Sequence, residues 1–158
     1  MITASTVLKH ARHYLGIQEA PPKSNHTPIG AKFGWNGVPW CAETVCVVLR
    51  DAGFKIAKNA SAQGLHDELV GYEWKSIKPA NARPGDIAFF DWPTEPGRIN
   101  HTGFVEGRHK DGRLITIEGN TTLPNGNDGV ARKLRALNCV SAIVRPPYAR
   151  ITTRKTNA

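Results

Sequence analysis

The sequence predicts an α+β fold in which helices in the first half of the chain pack on an antiparallel sheet formed by the second half. Apolar residues recur at helical spacing up to about residue 70, and short apolar segments of strand length follow from residue 87 onward. Separation of helices and strands along the chain is typical of this class. With 158 residues, the chain is long enough for one domain with one core.

Helices are predicted at residues 3–16, 41–52 and 61–70. Thr3 or Ser5 can cap the first of them, and Gly16 can end it. Residues 19–40, between the first two helices, are rich in proline and glycine. We therefore expect a long loop there, and loops of that length are often functional.

Strands are predicted at residues 87–92, 102–106, 114–118, 130–134 and 140–144. Asp111-Gly112 is a turn sequence between the second and third strands, so these two should form an antiparallel hairpin. Arg83-Pro84-Gly85-Asp86 predicts a turn before the first strand. After Pro146-Pro147 the chain becomes polar and basic, so we assign residues 1–148 to the domain and 149–158 to a loose tail or linker.

The chain has 21 Lys and Arg residues against 13 Asp and Glu residues, a net charge of +8. Such a charge favours a polyanionic partner: nucleic acid, acidic lipid or a wall that carries teichoic acids. The alternative is a role in solubility, with a basic tail that contains Arg145, Arg150, Arg154 and Lys155.

No apolar stretch has the length of a membrane span, and the first residues lack the pattern of a secretory signal. We therefore expect no membrane insertion and no signal peptide.

The three cysteines differ in their surroundings. Cys41 and Cys46 are five residues apart in one predicted helix, a poor geometry for a disulfide, so we expect free thiols. Cys41 lies on the first turn, where unpaired N–H groups and the helix dipole stabilise a thiolate and can hold an oxyanion. A small buried hydrophobe is an equally good interpretation of that position alone. Cys46 and Cys139 lie in apolar patterns that favour the hydrophobic role.

A histidine and two polar residues complete the candidate site. His101 follows a polar turn at the start of a strand, where its ring can reach a neighbouring helix and activate a thiol. On the next strand, Glu118 and Asn120 are two residues apart and should project to one face. Either can hold the imidazole, which is the third role in a catalytic triad. The remaining histidines lie in polar contexts and are interpreted as structural or solvated.

Five segments in order along the chain resemble the CHAP family, the cysteine- and histidine-dependent amidohydrolases and peptidases of phage endolysins and bacterial wall hydrolases. The segments are Gly37-Val38-Pro39-Trp40-Cys41-Ala42, Arg83-Pro84-Gly85-Asp86-Ile87, Asn100-His101-Thr102-Gly103-Phe104-Val105, Ile117-Glu118-Gly119-Asn120-Thr121 and Val144-Arg145-Pro146-Pro147-Tyr148. Each alone is weak evidence, but together they are specific and extend to about residue 148.

The resemblance implies a papain-like α+β fold and a peptidoglycan substrate. It implies Cys41 as nucleophile, His101 as base, Glu118 as the direct partner of the imidazole and Asn120 as a supporting residue. It also implies an endolysin made in the host cytoplasm without a signal peptide, which acts on the bacterial wall after release. We expect a monomer that binds peptidoglycan and no nucleic acid.

Metal ions and cofactors are not expected. Some members of the family bind calcium through aspartates before the nucleophile, but residues 20–40 contain no Asp or Glu, and calcium needs several oxygen ligands. The cysteines and histidines also lack zinc-ligand spacing. Three tryptophans flank the expected groove and can stack on sugar or peptide: Trp35, Trp40 and Trp92. Core packing is the alternative, and we favour it for at least one of them.

Three other interpretations stay open. A wall hydrolase of the NlpC/P60 type also uses Cys and His, but usually takes its third polar residue from a histidine on the next strand, which offers Glu118 and Asn120 here. A basic nucleic-acid-binding domain fits the charge, but no binding motif is present and the Cys-His-Glu-Asn set stays unexplained. A catalytically dead wall-binding module is disfavoured by an intact Cys41 and His101.

Overall fold

A computed structural model describes residues 1–92 and 97–150 of the chain. Four helices come first: α1 (Ala4–His13), α2 (Pro28–Phe33), α3 (Cys41–Asp51) and α4 (Ala62–Gly71). Six strands follow: β1 (Lys75–Ile77), β2 (Ile87–Phe90), β3 (His101–Arg108), β4 (Leu114–Thr122), β5 (Asp128–Arg135) and β6 (Val140–Arg145). They form one antiparallel sheet in the order β1-β6-β2-β3-β4-β5. The predicted α+β class is therefore confirmed.

The three predicted helices are present, and α2 was missed within the predicted loop of residues 19–40. Its signals are local: Thr27 caps its start by accepting a hydrogen bond from the Gly30 N–H, Pro28 occupies the first turn, and Gly34 ends it in a left-handed conformation. Six residues are too few to show a helical period. For α1, the hydroxyl that caps the helix is that of Thr3.

All five predicted strands are present, and most extend beyond their predicted bounds. The predicted hairpin is the β3–β4 pair, which turns at Asp111-Gly112. The strand that was missed, β1, has three residues and lies at the sheet edge beside β6. A segment that short gives too little alternation to be recognised from the sequence.

Apolar side chains pack on both faces of the sheet. One face carries residues such as Phe89, Phe104 and Ile117, which join the main core with the apolar side of α3. The other face carries a smaller cluster that includes Phe90 and Val105. Because α3 packs against β3 and β4, the first turn of α3 lies near the start of β3. None of the helices in the described part of the chain is long and apolar enough to span a membrane.

Arg145 was assigned to a basic cluster near the chain end, and the structure corrects this assignment. Its guanidinium donates to both carboxylate oxygens of Asp86, at 2.7 and 2.8 Å, and Asp86 is fully buried. Asp86 also accepts a hydrogen bond from the Arg83 N–H, and the Tyr148 hydroxyl donates to the Gly85 carbonyl. Contacts with the turn before β2 thus extend along the chain to Tyr148, while Arg154 and Lys155 of the predicted tail lie outside the described residues.

We predict that Arg145→Met lowers the free energy of unfolding by about 3 kcal/mol, because it leaves the buried Asp86 carboxylate without its cation. Urea unfolding measures the loss. Arg132→Met is the matched control, since Arg132 pairs with Glu106 at the surface and such pairs contribute less than about 1 kcal/mol. Equal losses in the two variants would contradict this description of the Arg145 pair.

Candidate active site

Cys41 is the first residue of α3, and this helix start differs from the others. A side-chain hydroxyl caps each of the other three helices: Thr3 for α1, Thr27 for α2 and Ser61 for α4. The residue before Cys41 is Trp40, which makes no side-chain capping hydrogen bond. Because the first N–H groups of a helix have no intrahelical partner, those of α3 stay available beside the Cys41 thiol. They can receive the negative charge of an oxyanion.

Two contacts hold the first turn of α3 in place. The Trp40 indole is fully buried and donates a hydrogen bond of 2.9 Å to the Glu19 carboxylate. On the other side, Gly119 of β4 approaches Thr44 so closely that a Cβ at Gly119 would clash with the Thr44 hydroxyl oxygen. The nucleophile candidate therefore sits on a rigid support. The assignment of Trp40 to substrate binding is wrong, because its buried ring packs in the core.

His101 is the first residue of β3, and its ring is almost completely buried against Phe90 and Trp92. Its Nε2 lies 2.6 Å from a Glu118 carboxylate oxygen, which leaves Nδ1 for the Cys41 thiol. Burial lowers the pKa of His101, but hydrogen bonds and charge interactions with Cys41 and Glu118 outweigh burial and raise the pKa to about 9. The imidazole is therefore mostly protonated at neutral pH.

Glu118 is fully buried beneath the imidazole. Burial raises its pKa, but Arg135 and His101 outweigh this effect and lower the pKa to about 2, so the carboxylate is ionised at neutral pH. Thr116 donates its hydroxyl to the same carboxylate. The side chain passes over Gly103 of β3, where a Cβ would lie 2.6 Å from the Glu118 Cγ. The glycine after His101-Thr102 thus makes room for the carboxylate.

Arg135 is the site residue that sequence reasoning missed. Its guanidinium donates to both Glu118 oxygens and lies over the Trp92 ring, 4.8 Å from the ring centroid. The sequence could have indicated Arg135, because a buried Glu118 carboxylate needs a cation and Arg135 lies on the strand that pairs with β4. The predicted strand ended at residue 134, one residue too early. The structure therefore contains a row of four side chains: hydrogen bonds join His101, Glu118 and Arg135, and Cys41 lies next to His101, whose pKa it raises.

Asn120 makes no hydrogen bond to the imidazole, so Glu118 is the residue that contacts the ring nitrogen directly. The β4–β5 register shifts between Glu118 and Thr121, and Asn120 adopts a left-handed backbone conformation with φ of 54°. A bulge of this kind breaks the two-residue alternation of a strand. The Asn120 side chain makes no hydrogen bond to any described residue and instead lines a cavity beside His101.

Two cavities flank the row. The first, of about 460 Å³, is lined by Cys41 together with Trp35, Val38, Pro39, residues 60–62 and residues 98–100. The second, of about 390 Å³, is lined by His101, Trp92, Asn120, Thr121, Thr122, Lys133 and Arg135. Trp35 is more than half exposed at the first cavity. Trp92 lines the second, where it stacks on Phe90. These two tryptophans are accessible to a ligand, unlike Trp40.

The other two cysteines have surroundings that favour the protonated thiol. Burial raises the pKa of Cys46 to about 11, and its thiol donates to the Asn59 carbonyl. Burial also raises the pKa of Cys139, whose thiol donates to the Ala136 carbonyl in a short turn before β6. Of the three cysteines, only Cys41 interacts with His101 so as to raise the pKa of the imidazole.

Comparison with known proteins identifies similar domains. Residues 33–120, which include Cys41, His101, Glu118 and Asn120, match the CHAP domain family. The endolysin LysIME-EF1 has a similar crystal structure, with a TM-score of 0.66 and 17% identity over 94% of this chain and 66% of that chain. Ly7917 gives a TM-score of 0.56 and 16% identity over 92% of this chain and 63% of that chain. At these identities the two structures support the fold. No curated protein matches the sequence.

This chain therefore spans slightly less than two thirds of the length of each of the two similar structures.

We predict that Glu118→Gln moves the alkaline limb of the pH–rate profile to lower pH and strongly lowers the rate. The carboxylate stabilises the imidazolium, so without its charge His101 loses its proton below the value of about 9. Asn120→Ala is the comparison, because it should cost less activity and leave the limb in place. A nearly silent Glu118→Gln beside a damaging Asn120→Ala would reverse the two roles.

We predict that Arg135→Met moves the acid limb of the same profile to higher pH. Arg135 lowers the pKa of Glu118, so its removal lets the buried carboxylate take up a proton at higher pH. Arg135→Lys should restore the limb only in part, because an ammonium cannot bind both oxygens as a planar guanidinium does. A loss of thermal stability without any shift of the limb would show that Arg135 is only structural.

Proposed function

Because this chain belongs to the CHAP domain family, we propose that it is a peptidoglycan hydrolase of the endolysin type. In this proposal it cleaves an amide bond of the bacterial wall, and Cys41 is the nucleophile. The observation that carries the proposal is the hydrogen-bonded row of His101, Glu118 and Arg135, which lies next to the Cys41 thiol at the uncapped start of α3. A thiol beside an imidazole that a buried carboxylate orients is the arrangement of a cysteine hydrolase.

The reaction begins from the thiolate–imidazolium pair. The Cys41 thiolate attacks the amide carbon, and the carbonyl oxygen becomes an oxyanion that the N–H groups at the start of α3 stabilise. His101 gives its proton to the amide nitrogen, the carbon–nitrogen bond breaks, and the amine leaves. The acyl group remains on Cys41 as a thioester. His101 then takes a proton from water, and the resulting hydroxide attacks the thioester carbon. The carbon–sulfur bond breaks, the acid product leaves, and Cys41 is restored as the thiolate beside the protonated His101.

Glu118 and Arg135 act without exchanging protons. The carboxylate fixes the ring orientation of His101 and stabilises the imidazolium, while the guanidinium keeps the carboxylate ionised in its buried position. We assign catalytic roles to Cys41 and His101 and positioning roles to Glu118 and Arg135. Asn120 belongs to substrate binding in this proposal, together with Trp35 and Trp92, which offer aromatic surfaces at the two cavities.

We further propose that the protein is a phage endolysin, is made in the host cytoplasm, and acts on the wall as a monomer after release. The basic charge then serves attraction to an anionic wall. A nucleic-acid role has less support, because several of the basic side chains are engaged in ion pairs: Arg12 and Arg132 with Glu106, Arg135 with Glu118, and Arg145 with Asp86. A site of the NlpC/P60 type usually takes its third polar residue from a histidine on the next strand, and β4 has none.

We predict that Cys41→Ala abolishes the clearing of purified bacterial walls and leaves the circular dichroism spectrum unchanged. Cys139→Ala is the matched control, because Cys139 lies partly buried outside the row and its loss should leave activity in place. Wild-type protein should release new amino groups and no reducing sugars, as amide cleavage requires. Clearing by Cys41→Ala, or release of reducing sugars alone, would contradict the proposed function.

A further inference from the structure

The cavity beside His101 offers a positive charge that the reaction described above does not use. We propose that this cavity binds a carboxylate on the amine side of the scissile bond, and that Lys133 supplies the cation that holds it. The inference rests on the proposed function and adds to it the charge of one substrate fragment and the side on which that fragment binds.

The division of the site follows from the chemistry of the two reacting groups. Cys41 bonds to the acyl carbon, so the acyl fragment must occupy the space next to the thiol. His101 must donate its proton to the departing nitrogen, so the amine fragment must begin next to the imidazole. The first cavity is lined by Cys41 but not by His101, and the second is lined by His101 but not by Cys41. The second cavity is therefore the amine side.

The lining of the second cavity is polar and positively charged. Lys133 and Arg135 are two residues apart on β5 and both line it. The Arg135 charge is already balanced by the buried Glu118 carboxylate. Lys133 donates one hydrogen bond to the Thr122 carbonyl, and no carboxylate of a described residue lies within 4.0 Å of its ammonium. This ammonium therefore retains donors and a charge for a ligand.

Asn120 supplies a second donor on the opposite strand. The bulge in β4 turns its side chain into the same cavity, and its amide has no hydrogen-bond partner among the described residues. An ammonium and an amide that face one small cavity suit a carboxylate, which accepts several hydrogen bonds at once. The cavity beside Cys41 differs, since its walls include Val38, Pro39 and Ile99, with one arginine, Arg98, in its lining.

The test uses soluble glycan–peptide fragments free of phosphate polymers, which exclude teichoic acid as the anion. One portion keeps its carboxylates and a second portion has them converted to neutral amides. Lys133→Met should lower kcat/KM for the carboxylate fragments by about tenfold through KM, as expected for loss of one charge-assisted hydrogen bond worth about 1.4 kcal/mol. For the amidated fragments the same substitution should change kcat/KM less than about twofold.

Two further variants sharpen the result. Lys110→Met removes the same charge from the exposed β3–β4 turn, so it controls for general attraction by the basic surface and should leave both fragments unaffected. The Lys133→Glu variant should prefer fragments in which each carboxylate has been converted to an aminoethyl amide, which carries a positive charge. The charges of the protein and of the ligand are then both reversed, so the attraction between them is restored. Mass spectrometry of the products shows whether the carboxylate lies on the fragment with the new amino group.

The outcomes separate the two levels of the proposal. If Lys133→Met affects carboxylate and amidated fragments equally, or if the carboxylate lies on the acyl fragment, the inference about the cavity is overturned while the proposed function stands. If wild-type protein cleaves neither fragments nor walls, the proposed function fails, and the inference fails with it. Preferential loss on carboxylate fragments, reversed by the charge exchange, supports the assignment.

Discussion

The buried carboxylate of Glu118 is the constraint on which the rest of the site depends. An ionised group without solvent is strongly unfavourable unless charges and hydrogen bonds compensate it. Here Arg135, His101 and Thr116 all donate to it. These donors come from three neighbouring strands, β3, β4 and β5, so the register of the sheet determines the geometry of the site. Loss of Arg135 or of the protonated His101 would leave the buried Glu118 charge only partly compensated. The same interactions therefore affect both the stability of the protein and the geometry of the site.

The same sheet also fixes the position of the nucleophile. Gly103 leaves room for the Glu118 side chain on one face, and Gly119 lets the first turn of α3 approach β4 on the other. The two glycines lie in the segments that carry His101 and Glu118, so each segment supplies both a functional side chain and the space that another group needs. Thus Cys41 can meet an imidazole that is already oriented, and little rearrangement is required before reaction.

Local patterns in the sequence allowed the main helices, the longer strands and the residues around Cys41 and His101 to be predicted. They failed where tertiary structure overrides a local rule. The alternation of β4 suggested that Asn120 lies beside Glu118 at the imidazole, but a bulge turns it toward the neighbouring cavity. Trp40 looks like a ligand-binding aromatic beside the nucleophile, yet Glu19 accepts its indole N–H inside the core. Arg135 is distant in sequence, and only the pairing of β4 with β5 reveals its role.

The proposed reaction requires that His101 and Glu118 activate the Cys41 thiol. Alkylation by iodoacetamide, followed residue by residue with mass spectrometry across pH, measures this most directly, because only a thiolate reacts. At about pH 6, where a free thiol with a pKa of about 8.5 is almost entirely protonated, Cys41 should react rapidly while Cys139 stays unmodified. Glu118→Gln should slow Cys41 at this pH and leave Cys139 unchanged. Two results would contradict the account: Cys41 reacts no faster than Cys139 at this pH, or Cys41 reacts equally fast in the wild-type protein and in Glu118→Gln.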